Sequence, residues 1–359
     1  MAYTIKDVAK KAGVSKTTIS RVLNSPDLVK QETKDKVLNA IQELGYRPNE
    51  IARSMVLKKS GILGLVIPDV LNPFFGETAK IIIDEAKERG YSVIVCNTSN
   101  NRDIEKEWVD FLLNKRVDGI LFASVQLTDP FVEEIVRMGF PCVMYNRRLR
   151  TKECDFVISN NKVGAQKAVE HLINLGHQTI GYIGGPARFS THRDRLEGYK
   201  KALKKNGLEI NKELICCGEL DINFANEATK NLLQLSNPPT AIFADNDIMA
   251  LESIEAILQS NLRVPEDIAL VGYDDIHIAS HQLIALTTVA QNKYDMSIIA
   301  LEHLINKIEK DKELTADKPL NVTLEPKLLI RRTCGFYKSG KGCESKEEGV
   351  SKIFQKDNK

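Results

Sequence analysis

The chain has 359 residues, of which 43% are hydrophobic and 27% are charged, a composition typical of a globular protein with two or three domains. No apolar run approaches the roughly 18 residues of a membrane-spanning helix, and the first residues lack the apolar core of a signal peptide. We therefore expect a cytoplasmic protein with no membrane partner. The seven cysteines lack zinc-finger spacing, and in that compartment most should be reduced and buried.

Charge is unevenly distributed along the chain. Residues 1–60 carry 12 Lys and Arg against 6 Asp and Glu, whereas residues 61–359 carry 38 against 42. A small basic head before a mildly acidic body indicates nucleic-acid binding. A basic helical domain without that role would have the same charge, so charge alone leaves both alternatives open.

The segment IKDVAKKAGVSKTTISRVLN, residues 5–24, predicts two short helices joined by a tight turn. Thr4 and Ser15 are suited to cap the two helices, and Gly13 lies where a chain leaving a helix often needs a left-handed residue. This is the pattern of a helix-turn-helix. The outward face of the second helix carries side chains suited to base edges and phosphates in a major groove: Lys16, Thr17, Ser20, Arg21 and Asn24.

A third amphipathic helix is predicted over residues 31–44, where Val37, Leu38, Ile41 and Leu44 would complete a three-helix core. Residues 1–48 are therefore assigned to an all-α head.

Residues 49–60, NEIARSMVLKKS, form a short segment with an apolar stripe at helical spacing. Pro48 precedes the segment and Gly61 follows it, so a helix here has about two turns and is marginal in water on its own. Its apolar stripe therefore needs a partner. A plain linker helix packed on its own head is the alternative.

Residues 61–333 alternate between apolar strands and amphipathic helices, which predicts an α/β body of two doubly wound parallel-sheet lobes. The first series of strands runs from GILGLVIPD to PCVMYN, and we assign DFVISNN to the start of the second series. Ligands of such sheets bind beyond the carboxyl ends of the strands. Those ends carry carboxylates, amides, an arginine and aromatic rings, which suit a polyhydroxylated ligand.

Both parts of the chain resemble one known family. IKDVAKKAGVSKTTISRVLN and TKDKVLNAIQELGYRPNEIARSM resemble the DNA-binding head of the lactose-repressor (LacI-type) family of bacterial transcription regulators. KRVDGILF, HLINLGHQTIGYIGG, PTAIFADNDIMA and LRVPEDIALVGYDD resemble the sugar-binding core of that family and of bacterial periplasmic sugar-binding proteins. The resemblance covers nearly the whole chain, and its fold has the periplasmic-binding-protein-like body described above.

The resemblance implies a set of DNA-contacting residues. Lys16, Thr17 and Arg21 match base-reading positions. Six further residues match positions that hold phosphates or set the docking: Thr4, Ser15, Thr18, Ser20, Asn24 and Thr33. Residues 49–60 match a hinge helix that folds on the operator against its copy from a second subunit. Four of its residues would face the minor groove, with Met55 wedged into a base step: Asn49, Ala52, Ser54 and Met55.

The resemblance also implies an effector site between the two lobes. Its residues would be Asp69, Asn72, Phe74, Phe75, Arg147, Arg193, Asn246, Asp274 and Gln291. For Phe75 a position in the core is the alternative. Asp247 and Asp275 each precede an apolar helical segment and are interpreted as helix N-caps, and Trp108 is interpreted as a core residue.

Three positions depart from the family pattern. Asn146 stands where aspartate is common, Ile284 and Ala285 replace a usual proline pair, and Asn292 replaces a proline. The first departure weakens the prediction of a sugar contact at Asn146, and the other two leave the path of the chain around Gln291 open.

The expected function is a sequence-specific DNA-binding transcription regulator, more a repressor than an activator. Two copies would bind a near-palindromic operator, and a small sugar or sugar derivative would control that binding without any cofactor or metal. The tail, residues 334–359, is rich in Gly, Ser and Lys and is predicted to be disordered. Because the tail lacks leucine heptads, a homodimer is favoured over a tetramer.

Two other functions are the alternatives. An enzyme on the same α/β scaffold would need a catalytic motif, and the sequence contains no P-loop, GxGxxG, GxSxG or HExxH. The best candidate for a metal site is the pair His277 and His281 beside Asp274 or Asp275. A sugar-binding transport receptor is disfavoured by the basic head and by the missing signal peptide.

Overall fold

The structure is a computed structural model that describes residues 3–24, 26–46, 59–151, 153–220, 223–309 and 319–336. The chain divides into two compact units, a head of residues 1–61 and a body of residues 62–359, and each unit is described by itself. No helix in these ranges is long and apolar enough to cross a membrane. Most of the predicted tail, residues 337–359, lies outside the described residues.

The head is a bundle of three helices, as the sequence predicts. Val8, Ile19 and Val37, one from each helix, are completely buried and meet at its centre. A single turn of 3₁₀ helix, Pro26–Leu28, precedes the third helix. The helices are α1 (Ile5–Ala12), α2 (Lys16–Asn24) and α3 (Gln31–Leu44).

Local signals set the ends of these helices. The carboxylate of Asp7 accepts hydrogen bonds from the backbone nitrogen (2.8 Å) and the hydroxyl (2.7 Å) of Thr4 at the start of α1. At the start of α2, the hydroxyl of Ser15 accepts from the backbone nitrogen of Thr18 at 3.1 Å. Gly13 and Gly45 end α1 and α3 with φ of 66° and 58°, a left-handed conformation that glycine adopts without a steric penalty.

The prediction that Leu38 belongs to the core of the head is wrong. Leu38 is 51% exposed, and Ala40, at 3% exposure, takes the place expected for it. The reason is the helical period: Ala40 lies three residues after Val37 and therefore on the same face, whereas Leu38 is rotated by about 100° from it.

The first lobe of the body contains a sheet of six parallel strands. In spatial order these are β2, β1, β3, β4, β5 and β11. The inner strands are buried along nearly their whole length, as expected for strands covered by helices on both faces. The strands are β1 (Ile62–Ile67), β2 (Ser92–Asn97), β3 (Gly119–Phe122), β4 (Cys142–Tyr145), β5 (Phe156–Ser159) and β11 (Asn321–Leu324).

The second lobe repeats this architecture with the order β7, β6, β8, β9, β10 and β12. Its edge strand β12 pairs antiparallel with β10, and the other pairs are parallel. The strands are β6 (Ile180–Gly184), β7 (Ile215–Cys217), β8 (Ala241–Ala244), β9 (Ala269–Asp274), β10 (Thr287–Ala290) and β12 (Lys327–Leu329).

Helices flank both sheets of the body. Trp108, on the helix Arg102–Asn114, is half-buried against the core of the first lobe. Its indole nitrogen donates to the carbonyl of Asn97 at 2.9 Å. The helices are α4 (Pro73–Glu88), α5 (Arg102–Asn114), α6 (Pro130–Arg137), α7 (Asn161–Asn174), α8 (Ser190–Lys205), α9 (Phe224–Leu233), α10 (Asp247–Gln259) and α11 (Lys293–Glu309).

The chain passes between the lobes three times. The assignment of DFVISNN to the second lobe is wrong, because β5 pairs with β4 in the first sheet and the crossing follows Ser159. The second crossing follows Ala290, since α11 packs on the first sheet, and the third lies between Leu324 and Lys327. Strand–helix alternation is the same in both lobes, so the pattern alone does not reveal where the chain changes sheet.

Helices α7 and α8 of the second lobe pack closely against one another at Gly198. A Cβ atom built on Gly198 would lie 2.3 Å from the carbonyl oxygen of Lys162 and 2.8 Å from the Cβ of Ala165. Only a residue without a side chain fits this contact. Gly76 on α4 is different, because a Cβ built there meets nothing within 4 Å.

These two glycines give a matched test of the packing. Gly198→Ala should destabilise the protein by about 1–3 kcal/mol, because the added methyl group forces the two helices apart. Gly76→Ala, also within a helix, should change the free energy of unfolding by at most about 1 kcal/mol and in the stabilising direction. Urea denaturation of both variants measures this difference, and equal effects of the two substitutions would contradict the packing described for α7 and α8.

Candidate DNA-binding face and interlobe binding site

The second helix of the head presents one side to solvent. Ile19 and Val22 face the core of the head, at 0% and 5% exposure. The opposite side of α2 therefore forms a polar surface that a groove of DNA could accept. It carries four of the predicted DNA-contacting side chains: Lys16, Thr17, Ser20 and Arg21.

The remaining predicted DNA contacts lie around this surface or beyond the described residues. Thr4 and Ser15 are exposed at the starts of α1 and α2, and Thr18 and Thr33 are half-buried. The hydroxyls of Ser15 and Thr18 are 2.9 Å apart. The side chain of Asn24 and the whole of Asn49, Ala52, Ser54 and Met55 lie outside the described residues.

The body contains a cavity of about 320 Å³ between its two lobes. Loops at the carboxyl ends of the parallel strands form its walls, as expected for doubly wound sheets. The first lobe contributes Asp69, Asn72, Phe74, Phe75, Asn100, Asn146 and Arg147, and the second contributes Thr191, His192, Arg195, Asn246, Met249, Glu252 and Asp274.

Most of the predicted effector residues lie on this wall. Phe74 and Phe75 are 1% and 5% exposed and pack edge to face, with ring centroids 5.2 Å apart. Phe75 therefore belongs both to the hydrophobic core and to the cavity wall. The predicted residues that reach the cavity are Asp69, Asn72, Phe74, Phe75, Arg147, Asn246 and Asp274.

Arg193 is a wrong prediction, because Arg195 is the arginine that lines the cavity. Arg193 is exposed on α8, and its Nε donates to Glu197 at 3.3 Å. The two arginines are two residues apart on a helix and so point about 200° apart. Arg195 lies on the buried stripe that includes Tyr199 and Ala202, and that spacing of four and seven residues was the signal in the sequence.

Arg195 is 3% exposed and is held on several sides. Its Nε donates to Asn161 at 2.8 Å, its Nη2 donates to Asp274 at 3.1 Å, and its Nη1 donates to the carbonyl of Asp245. The guanidinium lies 3.7 Å from the ring centroid of Tyr273. Burial opposes the charged form of Arg195, but the attractions of Asp274, Tyr273, Asp245 and Tyr182 together outweigh it, so the pKa of Arg195 is raised.

Gln291 lies behind the cavity wall instead of on it. Its amide nitrogen donates to Oδ1 of Asp274 at 2.7 Å, the same oxygen that accepts from Arg195. Burial raises the pKa of Asp274, and Arg195 and Gln291 oppose that rise. Asp274 has a φ of 112°, a strained conformation for a residue with a side chain. These contacts hold Asp274 rigidly at the cavity.

His192 was missed by the sequence analysis. Its Nδ1 is 2.7 Å from Oδ2 of Asp245, which also accepts from the hydroxyl of Tyr182 at 2.9 Å and from the backbone nitrogen of Gly185 at 3.3 Å. Burial disfavours the charged carboxylate, but His192, Arg195 and Tyr182 together lower the pKa of Asp245. The contact with Asp245 fixes the imidazole of His192 on the cavity wall.

Two asparagines of the wall are also helix caps. Asn72 caps α4 by accepting from the backbone nitrogen of Phe74 at 3.0 Å, and Asn246 caps α10 by accepting from Met249 at 2.8 Å. In both residues the amide oxygen is used by the helix. The NH₂ groups have no protein partner within the described ranges, so they can donate to a ligand.

The two aspartates interpreted as helix caps have other roles. Asp247 is the first residue of α10, with Asn246 as its cap, and is completely buried. Its carboxyl group accepts from the hydroxyl of Thr288 at 2.5 Å. Asp275 accepts from Nη2 of Arg331 at 2.7 Å. Both therefore make contacts within the second lobe to residues distant in the chain.

Arg147 enters the cavity from the loop after β4 and is 3% exposed. Its Nη1 donates to the carbonyl of Ser124 at 3.1 Å, and its Nη2 donates to Asn100 at 3.0 Å. The guanidinium stacks on Phe189 of the second lobe at 3.8 Å. Burial lowers the pKa of Arg147 to about 9.

A buried acid lies behind Arg147. Glu105 on α5 is 4% exposed and accepts a hydrogen bond from the hydroxyl of Ser124. Burial raises the pKa of Glu105 to about 8, because its effect is larger than the opposite effect of the hydrogen bond from Ser124. Glu105 is therefore mostly protonated at neutral pH.

A helix-turn-helix head joined to a two-lobed body with a polar cavity defines the class of DNA-binding proteins that respond to a small molecule. Residues 4–49 match the family model described as bacterial regulatory proteins, lacI family. Residues 60–325 match the model described as periplasmic binding proteins and sugar binding domain of LacI family. The chain therefore belongs to the LacI family of bacterial transcription regulators.

Individual relatives agree with this assignment. The chain is 36% identical over 333 residues to the ribose operon repressor of Halalkalibacterium halodurans, covering 92% of this chain and 96% of that one. It is 35% identical over 330 residues to the transcriptional repressor PurR of Actinobacillus pleuropneumoniae, covering 92% and 98%. The chain is thus a DNA-binding transcriptional repressor of this family and not an enzyme.

Solved structures confirm the fold. The lac repressor dimer bound to operator and the anti-inducer ONPF has a TM-score of 0.81 at 29% identity, covering 93% of this chain and 99% of that one. The complex of the transcriptional regulator CelR with cellobiose has a TM-score of 0.69 at 30% identity, covering 92% and 99%. Both relatives align with the head as well as with the body.

The two histidines of the candidate metal site make hydrogen bonds to different partners. The backbone nitrogen of His277 donates to Glu77 at 2.8 Å, and Nδ1 of His281 accepts from the backbone nitrogen of Leu283 at 3.4 Å. Within the described part of the chain, no group of three His, Cys, Asp or Glu side chains could hold a metal ion.

The buried acid predicts how stability depends on pH. Burial raises the pKa of Glu105 to about 8 from its ordinary value of 4.5, so between these pH values the folded state holds a proton that the unfolded state releases. The contribution of Glu105 to the free energy of unfolding therefore falls as pH rises from about 4.5 to about 8. Glu105→Gln should remove this part of the loss.

Urea denaturation at pH 5 and at pH 8 measures the effect. The loss of stability between the two pH values should be smaller in Glu105→Gln than in the unmodified protein. Glu107→Gln, an exposed position on the same helix, should leave the loss unchanged. An unaltered loss in the Glu105 variant would show that this carboxyl group titrates normally.

Proposed function

We propose that this repressor binds a near-palindromic operator as a homodimer and that a sugar or sugar derivative in the interlobe cavity controls the binding. The cavity carries the proposal, because its walls combine paired hydrogen-bonding groups with aromatic rings. Both lobes contribute to those walls, so a ligand there contacts both at once. A protein that works on an operator is expected in the cytoplasm.

The cavity suits a ligand of sugar size. Its volume of about 320 Å³ is at the lower end of the roughly 300–1,000 Å³ typical of small-molecule sites. Asp274 accepts hydroxyl hydrogens, Asn72 and Asn246 donate to hydroxyl oxygens, and Phe75 covers an apolar ring face. The relatives named for a ribose operon and for cellobiose support a sugar as the effector class.

A dimer is supported by the assembly of a solved relative. The lac repressor in the similar structure is a dimer. Two bodies joined in this way would present two recognition helices to the two halves of an operator.

The segment 49–60 would connect effector and DNA. We assign Asn49, Ala52, Ser54 and Met55 to contacts in the minor groove, with Met55 inserted between two base pairs and kinking the duplex. A helix too short to be stable alone would fold against its copy and the DNA. Closure of the lobes around the effector would change the spacing of the two copies. Effector and operator affinities are then reciprocally coupled.

A thermal-shift screen against sugars and sugar derivatives identifies the effector, because a ligand of the folded state raises the melting temperature by mass action. With that ligand, two variants should separate the functions. Arg21→Ala should weaken operator binding by roughly tenfold or more, the value of a lost base contact, and leave effector binding unchanged. Asp274→Asn should weaken effector binding and leave operator binding without effector unchanged.

The control is Arg263→Ala, which removes the same charge from an exposed site on the body where Arg263 pairs with Asp267. It should alter neither affinity. The separation of roles is contradicted if Arg21→Ala weakens both affinities equally, or if Asp274→Asn still responds to the effector like the unmodified protein.

A further inference from the structure

Arg147 is a buried cation without a counter-ion. It is 3% exposed, and within the described residues its hydrogen bonds go to neutral acceptors, the carbonyl of Ser124 and the amide of Asn100. Its Nε is buried and has no partner. No ion pair of Arg147 occurs within the described parts of the chain. A buried charge is normally paired or hydrogen-bonded at every donor, so this one requires an explanation.

Neighbouring arginines are paired, which makes Arg147 distinctive. Arg195 donates to Asp274 at 3.1 Å, Arg148 to Asp194 at 3.2 Å, and Arg188 to Glu219 at 2.6 Å. Glu105 is linked to Arg147 indirectly, because Ser124 accepts from Arg147 through its carbonyl and donates to Glu105 through its hydroxyl. Because the pKa of Glu105 is raised to about 8 by burial, this acid is mostly neutral at pH 7 and does not balance the charge.

The acids on the cavity wall do not balance Arg147 either. Asp274 is already paired with Arg195 and Gln291. Asp69 accepts from the backbone nitrogen of Leu71 at 3.0 Å and, like Glu252, forms no ion pair with Arg147. The cavity wall therefore has a cationic part, at Arg147, that pairs with none of its carboxylates, besides the carboxylates and amides that suit hydroxyl groups. A ligand with one acidic group and several hydroxyls would match both features.

The start of α8 lies at the same cationic part. Phe189, on which Arg147 stacks, is the N-cap residue of this helix and provides no side-chain cap. Thr191 and His192 in the first turn line the cavity. The free backbone N–H groups and the positive end of the helix dipole favour an anion here. Arg147 comes from the first lobe and α8 from the second, so an anion between them would contact both.

We propose that the effector carries one acidic group, a phosphate ester or a carboxylate, which binds Arg147 and the first turn of α8. This rests on the proposed function, because it takes the interlobe cavity as the effector site. The acidic group supplies the missing counter-ion of Arg147 through charge-assisted hydrogen bonds. It also joins the two lobes, so the charge of the effector contributes directly to their closure.

The first test compares ligands that differ only in the acidic group. Ribose is paired with ribose 5-phosphate, and glucose with glucose 6-phosphate and with gluconate, in calorimetric titrations. The best acidic ligand should bind more tightly than its neutral parent by roughly tenfold or more. The phosphate and carboxylate arms distinguish the two sources of charge. A neutral parent that binds as tightly as its acidic partners overturns the proposal.

The second test needs no knowledge of the effector. Inorganic phosphate at millimolar concentration should raise the melting temperature of the unmodified protein more than that of Arg147→Gln. Arg193→Gln removes the same charge from the exposed face of α8, where Arg193 pairs with Glu197, and should respond to phosphate like the unmodified protein. If all three proteins respond equally, phosphate acts only as a general stabilising salt and the proposal fails. Arg147→Lys, which keeps the charge, should recover part of the response if Arg147→Gln folds poorly.

The outcomes separate this proposal from the proposed function. Neutral sugars that bind and alter operator affinity would leave the proposed function intact and overturn the acidic effector. An acidic ligand that binds at Arg147 without altering operator affinity would establish the site and overturn the proposed control of DNA binding.

Discussion

The buried ion pair of Arg195 and Asp274 links the ligand cavity to the segments that join the lobes. Arg195 also donates to Asn161, and Asp274 also accepts from Gln291. Asn161 begins α7 directly after the first crossing, and Gln291 follows β10 at the second crossing. A ligand that touches this pair is therefore connected, through the side chains of Asn161 and Gln291, to the segments that join the lobes. An unpaired charge at either position would be costly in the interior, so the network is expected to move as a unit.

The sequence predicted the fold and much of the site because both follow from local rules. Helix caps and glycines marked the head. The rule that ligands bind beyond parallel strands located the site, and the resemblance to the LacI-type family supplied the nine effector residues, of which seven lie on the cavity wall. The errors have a common cause. Arg193 and Leu38 were assigned to the wrong face of a helix, and β5 was assigned to the wrong sheet. Each depends on orientation or pairing across the chain, which neither residue type nor alternation determines.

Two features of the cavity that the sequence did not reveal depend on partners distant in the chain. His192 is fixed by Asp245, and Arg147, although predicted as an effector residue, has beside it the acid Glu105, which is buried and hydrogen-bonded to Ser124. Sequence identity to relatives establishes the family and its DNA-binding head, whereas the charge balance inside the cavity follows from the contacts of Arg147 and Arg195 in the structure. We expect the effector to be selected by that balance, with aromatic and amide groups common to sugar sites providing the rest of the contact.

The coupling between cavity and operator is tested most directly by measuring operator affinity with and without saturating effector, in the unmodified protein and in Gln291→Leu. We predict a change of roughly tenfold or more in the unmodified protein, within the usual range of allosteric coupling. The change should be smaller in the variant, because one of the two links from the ion pair to the crossings is removed. An operator affinity that stays constant while the cavity is fully occupied would contradict the account.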